Sequence, residues 1–194
     1  MYKDSATSEV SCSAKESVVS ARVLILPGYG NSGALHWQSR WEQANPAFVR
    51  VQQRDWDAPV CDDWVAAIED AVRSTGHDVV LVAHSLGCLA VAHWAATPHS
   101  PIRGALLVAV PDPEGPDFPA QASGFGEPPA RSFAFSSTVV ISDDDPYGTP
   151  AYSAQLAQAW GSSAVRVGSC GHINAESGLG DWAAGFELLR QLRD

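Results

Sequence analysis

Three short stretches hold the residues able to do chemistry together. Val79-Val80-Leu81-Val82-Ala83-His84-Ser85-Leu86-Gly87 closes an apolar run on a serine, with small residues two before it and two after. Asp143-Asp144-Asp145-Pro146 follows a second apolar run, and Gly171-His172 follows a third. A serine hydroxyl is a poor nucleophile until a base takes its proton, and a third group must orient that base. Ser, Asp and His occur here in the chain order that a parallel-sheet hydrolase requires. The chemistry this suggests is acyl transfer through a serine ester.

Each candidate has rivals. Small residues at 83 and 87 suit a tight strand-to-helix turn, where larger side chains would strike the neighbouring strand and helix. The first is more often Gly, so Ala83 adds one methyl. Such a turn exposes the Ser85 hydroxyl and aims the Leu86 N–H at the site, at the positive end of a helix. The bland alternative is that Ser85 only caps that helix. Among the aspartates Asp145 is favoured, because Pro146 fixes φ and helps hold the turn. Asp144 is next. Asp143 and Asp144 otherwise read as solvated turn carboxylates or a helix cap. A metal site from the three lacks His or Cys ligands at suitable spacing. Of six histidines, only His172 combines a preceding Gly, a strand-end position and the right chain order. His84 should point away from Ser85, as neighbours on a strand do, and pack beside the site. His36 lies near the first turn and could line a pocket. His77, His93 and His99 lie away from strand ends.

The elements that would position these groups alternate regularly. Strands are expected at Val23–Leu26 (A), Phe48–Val51 (B), Val79–Ala83 (C), Ala105–Val110 (D), Thr138–Ile141 (E) and Ala164–Val167 (F). Helices are expected at Leu35–Ala44, Asp63–Thr75, Leu86–Thr97, Ala151–Trp160 and about Asp181–Leu192. Trp37 and Trp41, four apart, read as core on one helix face. Strand C is apolar throughout, as a strand covered on both faces should be. Alternation of this kind implies an α/β fold with a parallel sheet and helices on both faces. Ligands then bind beyond the carboxyl ends of the strands. One irregular segment, from Pro111 to about Ser132, interrupts the alternation, and loops that long are usually functional or mobile.

The first turn has a competing reading. Gly28, Gly30 and Gly33 spell GxGxxG between a strand and a helix, and Asp55 stands 22 residues beyond Gly33. That resembles a dinucleotide fingerprint. Pro27 before the first Gly, and the bulky Leu35-His36-Trp37 after the last, weaken it.

Composition narrows the class. The chain has 194 residues, enough for one domain with a real core and short for two. Residues 1–20 are polar and Ser-rich and read as a flexible extension, leaving 21–194 as a single domain. No secretory h-region is present, so a cytoplasmic location is expected. Net charge is −10 with only 12 Lys+Arg, which argues against nucleic acid and anionic membrane as partners. No apolar run approaches the ~20 residues of a spanning helix. The four Cys form no CxxC pair, so disulfide-framework and zinc-ribbon readings lack support.

Taken together, VLILPGYGNSGALHWQSRW, RDWDAP, VVLVAHSLG, SDDDPYG and GSCGHINAESGLGDW resemble the small serine hydrolases of the YdeN type, bacterial relatives of human retinoblastoma-binding protein nine. The resemblance runs from about Val23 to Trp182. It implies a compact α/β-hydrolase fold without a large lid, six parallel strands in the order B-A-C-D-E-F, and a triad of Ser85, Asp145 and His172. It also implies that the glycine-rich turn is an oxyanion loop, with Tyr29 or Gly30 supplying an N–H beside that of Leu86. The expected function is cleavage of a small ester, thioester or amide, carboxylesterase-like, without cofactor or metal. His36, Trp56, Phe118 and Phe125 are expected to wall the substrate pocket. A catalytically quiet protein-binding module on the same scaffold is the alternative, and a dinucleotide-binding protein is the other.

Overall fold

The six apolar runs form six strands in a computed structural model that describes residues 21–76 and 78–193. The expected extension at 1–20, and His77, lie outside the described residues. The strands are β1 (Arg22–Leu26), β2 (Phe48–Arg50), β3 (Val79–His84), β4 (Gly104–Val108), β5 (Ser136–Ile141) and β6 (Ser163–Arg166). They pair in the order β2-β1-β3-β4-β5-β6, all parallel. This is the order expected from the sequence. The helices are α1 (Trp37–Ala44), α2 (Cys61–Thr75), α3 (Leu86–Ala95), α4 (Pro150–Trp160) and α5 (Ala183–Arg193).

Strand alternation divides the interior into two cores. Leu24, Leu26, Leu81 and Ala83 pack with α2, α3 and α4 on one face. Val23, Ile25, Val80 and Val82 pack with α1 and α5 on the other. A side-chain period of two forces this split. Every residue of β3 is buried, and so is nearly all of α3. Each Leu, Ile or Val fully buried here contributes about 1.5–3 kcal/mol. The wholly buried β3 and the most buried helix, α3, therefore meet at Ser85.

Element ends differ from expectation for local reasons. The first helix begins at Trp37, not Leu35, because the His36 side chain caps it: Nδ1 accepts the Gln38 N–H at 3.1 Å. α2 begins two residues early, which puts Asp62 and Asp63 in its first turn, where the helix dipole favours them. β4 stops at Val108 because Ala109 takes φ 57° and turns the chain.

The turn between β3 and α3 passes close under the end of β1. A Cβ on Gly87 would lie 2.6 Å from the Leu26 carbonyl oxygen and 2.8 Å from that of Pro27. These are backbone atoms and cannot swing aside. Gly87→Ala should therefore lower stability by about 1–3 kcal/mol, as overpacking does. Urea denaturation checks this, and an unchanged midpoint would contradict the close approach.

Candidate active site

Ser85 sits between β3 and α3 with φ 53° and ψ −125°. Few non-glycine residues adopt such backbone, which costs about 1–3 kcal/mol and persists only where the surroundings enforce it. Its side chain makes no cap hydrogen bond to α3, so the capping alternative fails. Instead Ser85 Oγ lies 2.8 Å from His172 Nε2. His172 Nδ1 lies 2.8 Å and 3.0 Å from the two oxygens of Asp145. That contact fixes the tautomer: Nδ1–H donates to the carboxylate, so Nε2 is free to accept the hydroxyl proton. The Asp145 and His172 side chains are 3% and 9% exposed, so water competes little for either.

The three consecutive aspartates have three separate partners. Asp143 pairs with Arg166 on β6. Asp144 Oδ1 accepts the Gly171 N–H at 2.7 Å and the Ser142 hydroxyl at 2.9 Å. These bonds, Gly171 first, hold its carboxyl below the usual range. Asp144 thus braces the turn that carries His172, and Asp145 alone reaches the imidazole. The Tyr147 N–H donates to Asp145 Oδ1 at 3.0 Å, and the Tyr147 ring lies 4.4 Å from that of His172.

The glycine-rich turn lies against Ser85. A Cβ on Gly28 would come within 2.8 Å of Ser85 Cβ and 3.3 Å of the Leu86 nitrogen. The Gly30 N–H is engaged by the Trp56 carbonyl at 2.9 Å. The Tyr29 and Leu86 amides donate to no acceptor among the described residues. The helix that should receive a pyrophosphate is already capped by His36. Asp55, the would-be ribose ligand, instead accepts the N–H groups of Asp57 and Ala58 within its own turn.

A cavity of about 510 Å³ opens over Ser85. His36 and Phe118 line it as expected, together with Tyr29 and Tyr147. Trp56 and Phe125 do not. Phe125 is buried edge-on against Trp64 in the core, and Trp56 packs on the same tryptophan. The segment from Pro111 supplies Asp117, Phe118 and Gln121 to one wall and contains no helix. The lining includes Asp117 and Glu176 but no Lys or Arg. No group of His, Cys, Asp and Glu suited to a metal ion occurs among the described residues. Cys61, Cys88 and Cys170 are free thiols. Burial pushes Cys61 up to about 12 and Cys88 up as well, so neither competes with Ser85 as a nucleophile.

Sequence reasoning missed the buried polar groups that tie these elements together. Gln38, fully buried, donates to the carbonyls of Leu26, at the end of β1, and of Val82 within β3. Trp37 Nε1 donates to the Ile173 carbonyl at 2.7 Å, and His84 Nε2 donates to the His172 carbonyl at 2.9 Å. Only the polarity of residues on otherwise apolar faces hinted at them.

His36 and His84 are buried beside His172, their rings 4.7 Å apart. Burial, then the charge of Arg50, pushes His36 down to about 4, and burial also drives His84 well below its ordinary value. The unfolded chain takes up protons at these imidazoles near pH ~6.5, whereas the folded chain refuses them. Stability should be whole above pH ~6.5 and fall as pH drops toward 4, by about 3 kcal/mol from His36 alone. His36→Asn keeps a cap without the titration, so it should flatten that limb relative to the parent. Urea midpoints at pH 7, 5.5 and 4.5 test this, and parallel losses would refute it.

Among the described residues, no helix is long and apolar enough to cross a membrane. No curated protein matches the sequence significantly. Among solved structures, the chain is similar to a YdeN-like hydrolase from Pectobacterium atrosepticum at 32% identity, covering 89% of this chain and 90% of that one, with a TM-score of 0.79. The ydeN gene product of B. subtilis shares the fold at 23% identity, covering 89% and 98%, with a TM-score of 0.73. So does BorB, a type II thioesterase from the borrelidin biosynthetic cluster, at 14% identity, covering 91% and 94%, with a TM-score of 0.66. The family described as serine hydrolase matches residues 23–191, and the chain belongs to that family.

Proposed function

We propose that this protein hydrolyses a small ester, thioester or amide through an acyl-enzyme on Ser85. The observation that carries the reading is the unbroken relay from Ser85 Oγ to His172 Nε2 and from His172 Nδ1 to Asp145. Ser85 Oγ attacks the substrate carbonyl as His172 Nε2 takes its proton, and Asp145 steadies the imidazolium that forms. The carbonyl oxygen becomes an oxyanion and accepts the N–H groups of Leu86 and Tyr29. The engagement of Gly30 with Trp56 supports Tyr29 over its neighbour. As the tetrahedral intermediate collapses, His172 returns the proton to the departing group. Water then repeats the sequence on the acyl-enzyme and frees the acid.

The cavity supports a small neutral substrate. Two carboxylates and no Lys or Arg line it, so it repels phosphates and carboxylates. The same feature disfavours dinucleotides, which bring two phosphates. Carboxylester cleavage is the chemistry we favour, with thioesters next because BorB shares the fold. The free Cys61, Cys88 and Cys170 fit a reducing compartment, and we place the protein in the cytoplasm.

The test is a fluorophosphonate probe followed by mass spectrometry of the modified peptide. Label on Ser85, absent in Ser85→Ala and His172→Ala, is the expected outcome. A folded, unlabelled parent would sink the hydrolase reading and favour a protein-binding module. Asp145→Asn should reduce ester turnover by roughly 10³–10⁴-fold through the wrong imidazole tautomer. Asp144→Asn should cost less, because its carbonyl can still accept the Gly171 N–H. Equal losses from the two variants would reverse the assignment of the acid.

A further inference from the structure

The base is held by groups outside the triad. His172 lies in a bend whose flanking residues both take left-handed backbone, with Gly171 at φ 54° and Ile173 at φ 48°. For a β-branched residue such a φ is a genuine outlier, and Ile173 is also fully buried. Left alone, Ile173 would relax toward extended backbone and swing the His172 carbonyl and side chain with it.

Two ring N–H groups oppose that relaxation. His84 Nε2 donates to the His172 carbonyl at 2.9 Å, and Trp37 Nε1 donates to the Ile173 carbonyl at 2.7 Å. They come from different elements: His84 ends β3, and Trp37 opens α1. Strand alternation explains how His84 reaches the bend. It shares a face with Val80 and Val82, opposite Ala83, on the side where α1 packs. The ring must be neutral with its proton on Nε2, since a carbonyl only accepts. The titratable groups facing it are His36, at 4.7 Å between ring centroids, and His172, at 4.9 Å. Both are imidazoles; burial, then these two rings, disfavours a charged ring and outweighs the opposite pull of the His172 carbonyl.

Resting on the serine hydrolase reading, we propose that His84 and Trp37 are positioning residues that clamp consecutive carbonyls of the base-bearing bend. Their effect is to keep His172 Nε2 in reach of Ser85 Oγ before substrate arrives. Asp144 braces the same bend from upstream through the Gly171 N–H. The clamp touches no reacting atom. It should therefore govern kcat and the reactivity of Ser85, not substrate affinity.

Four proteins test this: the parent, His84→Leu, His84→Gln and Trp37→Phe. Gln places a donor near the position of Nε2, and Phe keeps a ring while removing the indole N–H. The readouts are the rate of fluorophosphonate labelling, and kcat and KM for p-nitrophenyl acetate. His84→Leu should slow labelling and kcat by roughly 10- to 100-fold, the scale of an ångström-level misplacement, with KM within about twofold of the parent. His84→Gln should recover most of that loss, and Trp37→Phe should slow labelling severalfold. Parent-like labelling in folded His84→Leu would overturn the clamp, as would a Gln variant no faster than Leu. If His84→Leu does not fold, Trp37→Phe decides, and an unchanged labelling rate there overturns the proposal. A parent that never labels would remove the hydrolase reading and the clamp together, whereas a labelled parent with indifferent variants would remove the clamp alone.

Discussion

Everything at the site depends on a backbone that Ser85 holds at positive φ, where β3 gives way to α3 beneath the end of β1. That conformation is unfavourable by about 1–3 kcal/mol and cannot sustain itself. It survives because the two elements it joins are buried along almost their whole length. Glycines at 28 and 87 let three stretches of main chain approach more closely than any Cβ allows. The same approach brings the glycine-rich turn against Ser85 and the Leu86 nitrogen. The proposed nucleophile and oxyanion donors thus share one packing constraint.

The proposed base is organised on a different principle. His172 stands on a mobile kind of structure, an irregular turn, yet its neighbours leave that turn little freedom. Ser142 Oγ accepts the Cys170 N–H, Asp144 accepts the Gly171 N–H, and ring donors take the carbonyls of 172 and 173. Four consecutive residues are fixed by side chains from β3, α1 and the turn after β5. Buried polar groups of this kind are costly unless satisfied, and here the Trp37 and His84 donors are satisfied by carbonyls of one bend. Polar groups in the core therefore act on geometry more than on net stability.

Much of this was legible in the sequence. Uninterrupted apolar runs such as VVLVA and ALLVAV announced buried parallel strands, and the order Ser, Asp, His at strand ends gave the sheet its polarity and the site its place. Pro146 singled out one aspartate of three. Other features depended on contacts that sequence does not encode. Phe125 and Phe118 lie in the same loop, but only the second faces the cavity, because Trp64, distant in sequence, takes the first into the core. His36 falls inside the helix expected from Leu35 and is instead its cap, so the helix starts two residues later. Ala175–Ser177, a short 3-10 turn, has no apolar period to reveal it. The choice between the amides of Tyr29 and Gly30 turned on the Trp56 carbonyl, a tertiary partner.

The long sequence separation across the relay has a consequence for how the protein is born. Ser85 and His172 are 87 positions apart, and the Trp37 contact to Ile173 spans 136. A ribosome adding about 5–20 residues per second delivers the imidazole on the order of 10 s after the serine. On the proposed mechanism, the turn at Ser85 can be complete by then and still inert, with no group to take its proton. Reactivity is therefore withheld from the nascent chain and conferred only when the last strand and the turn beyond it have docked. In that reading, hydrolytic competence certifies finished folding, and chain order alone imposes the delay.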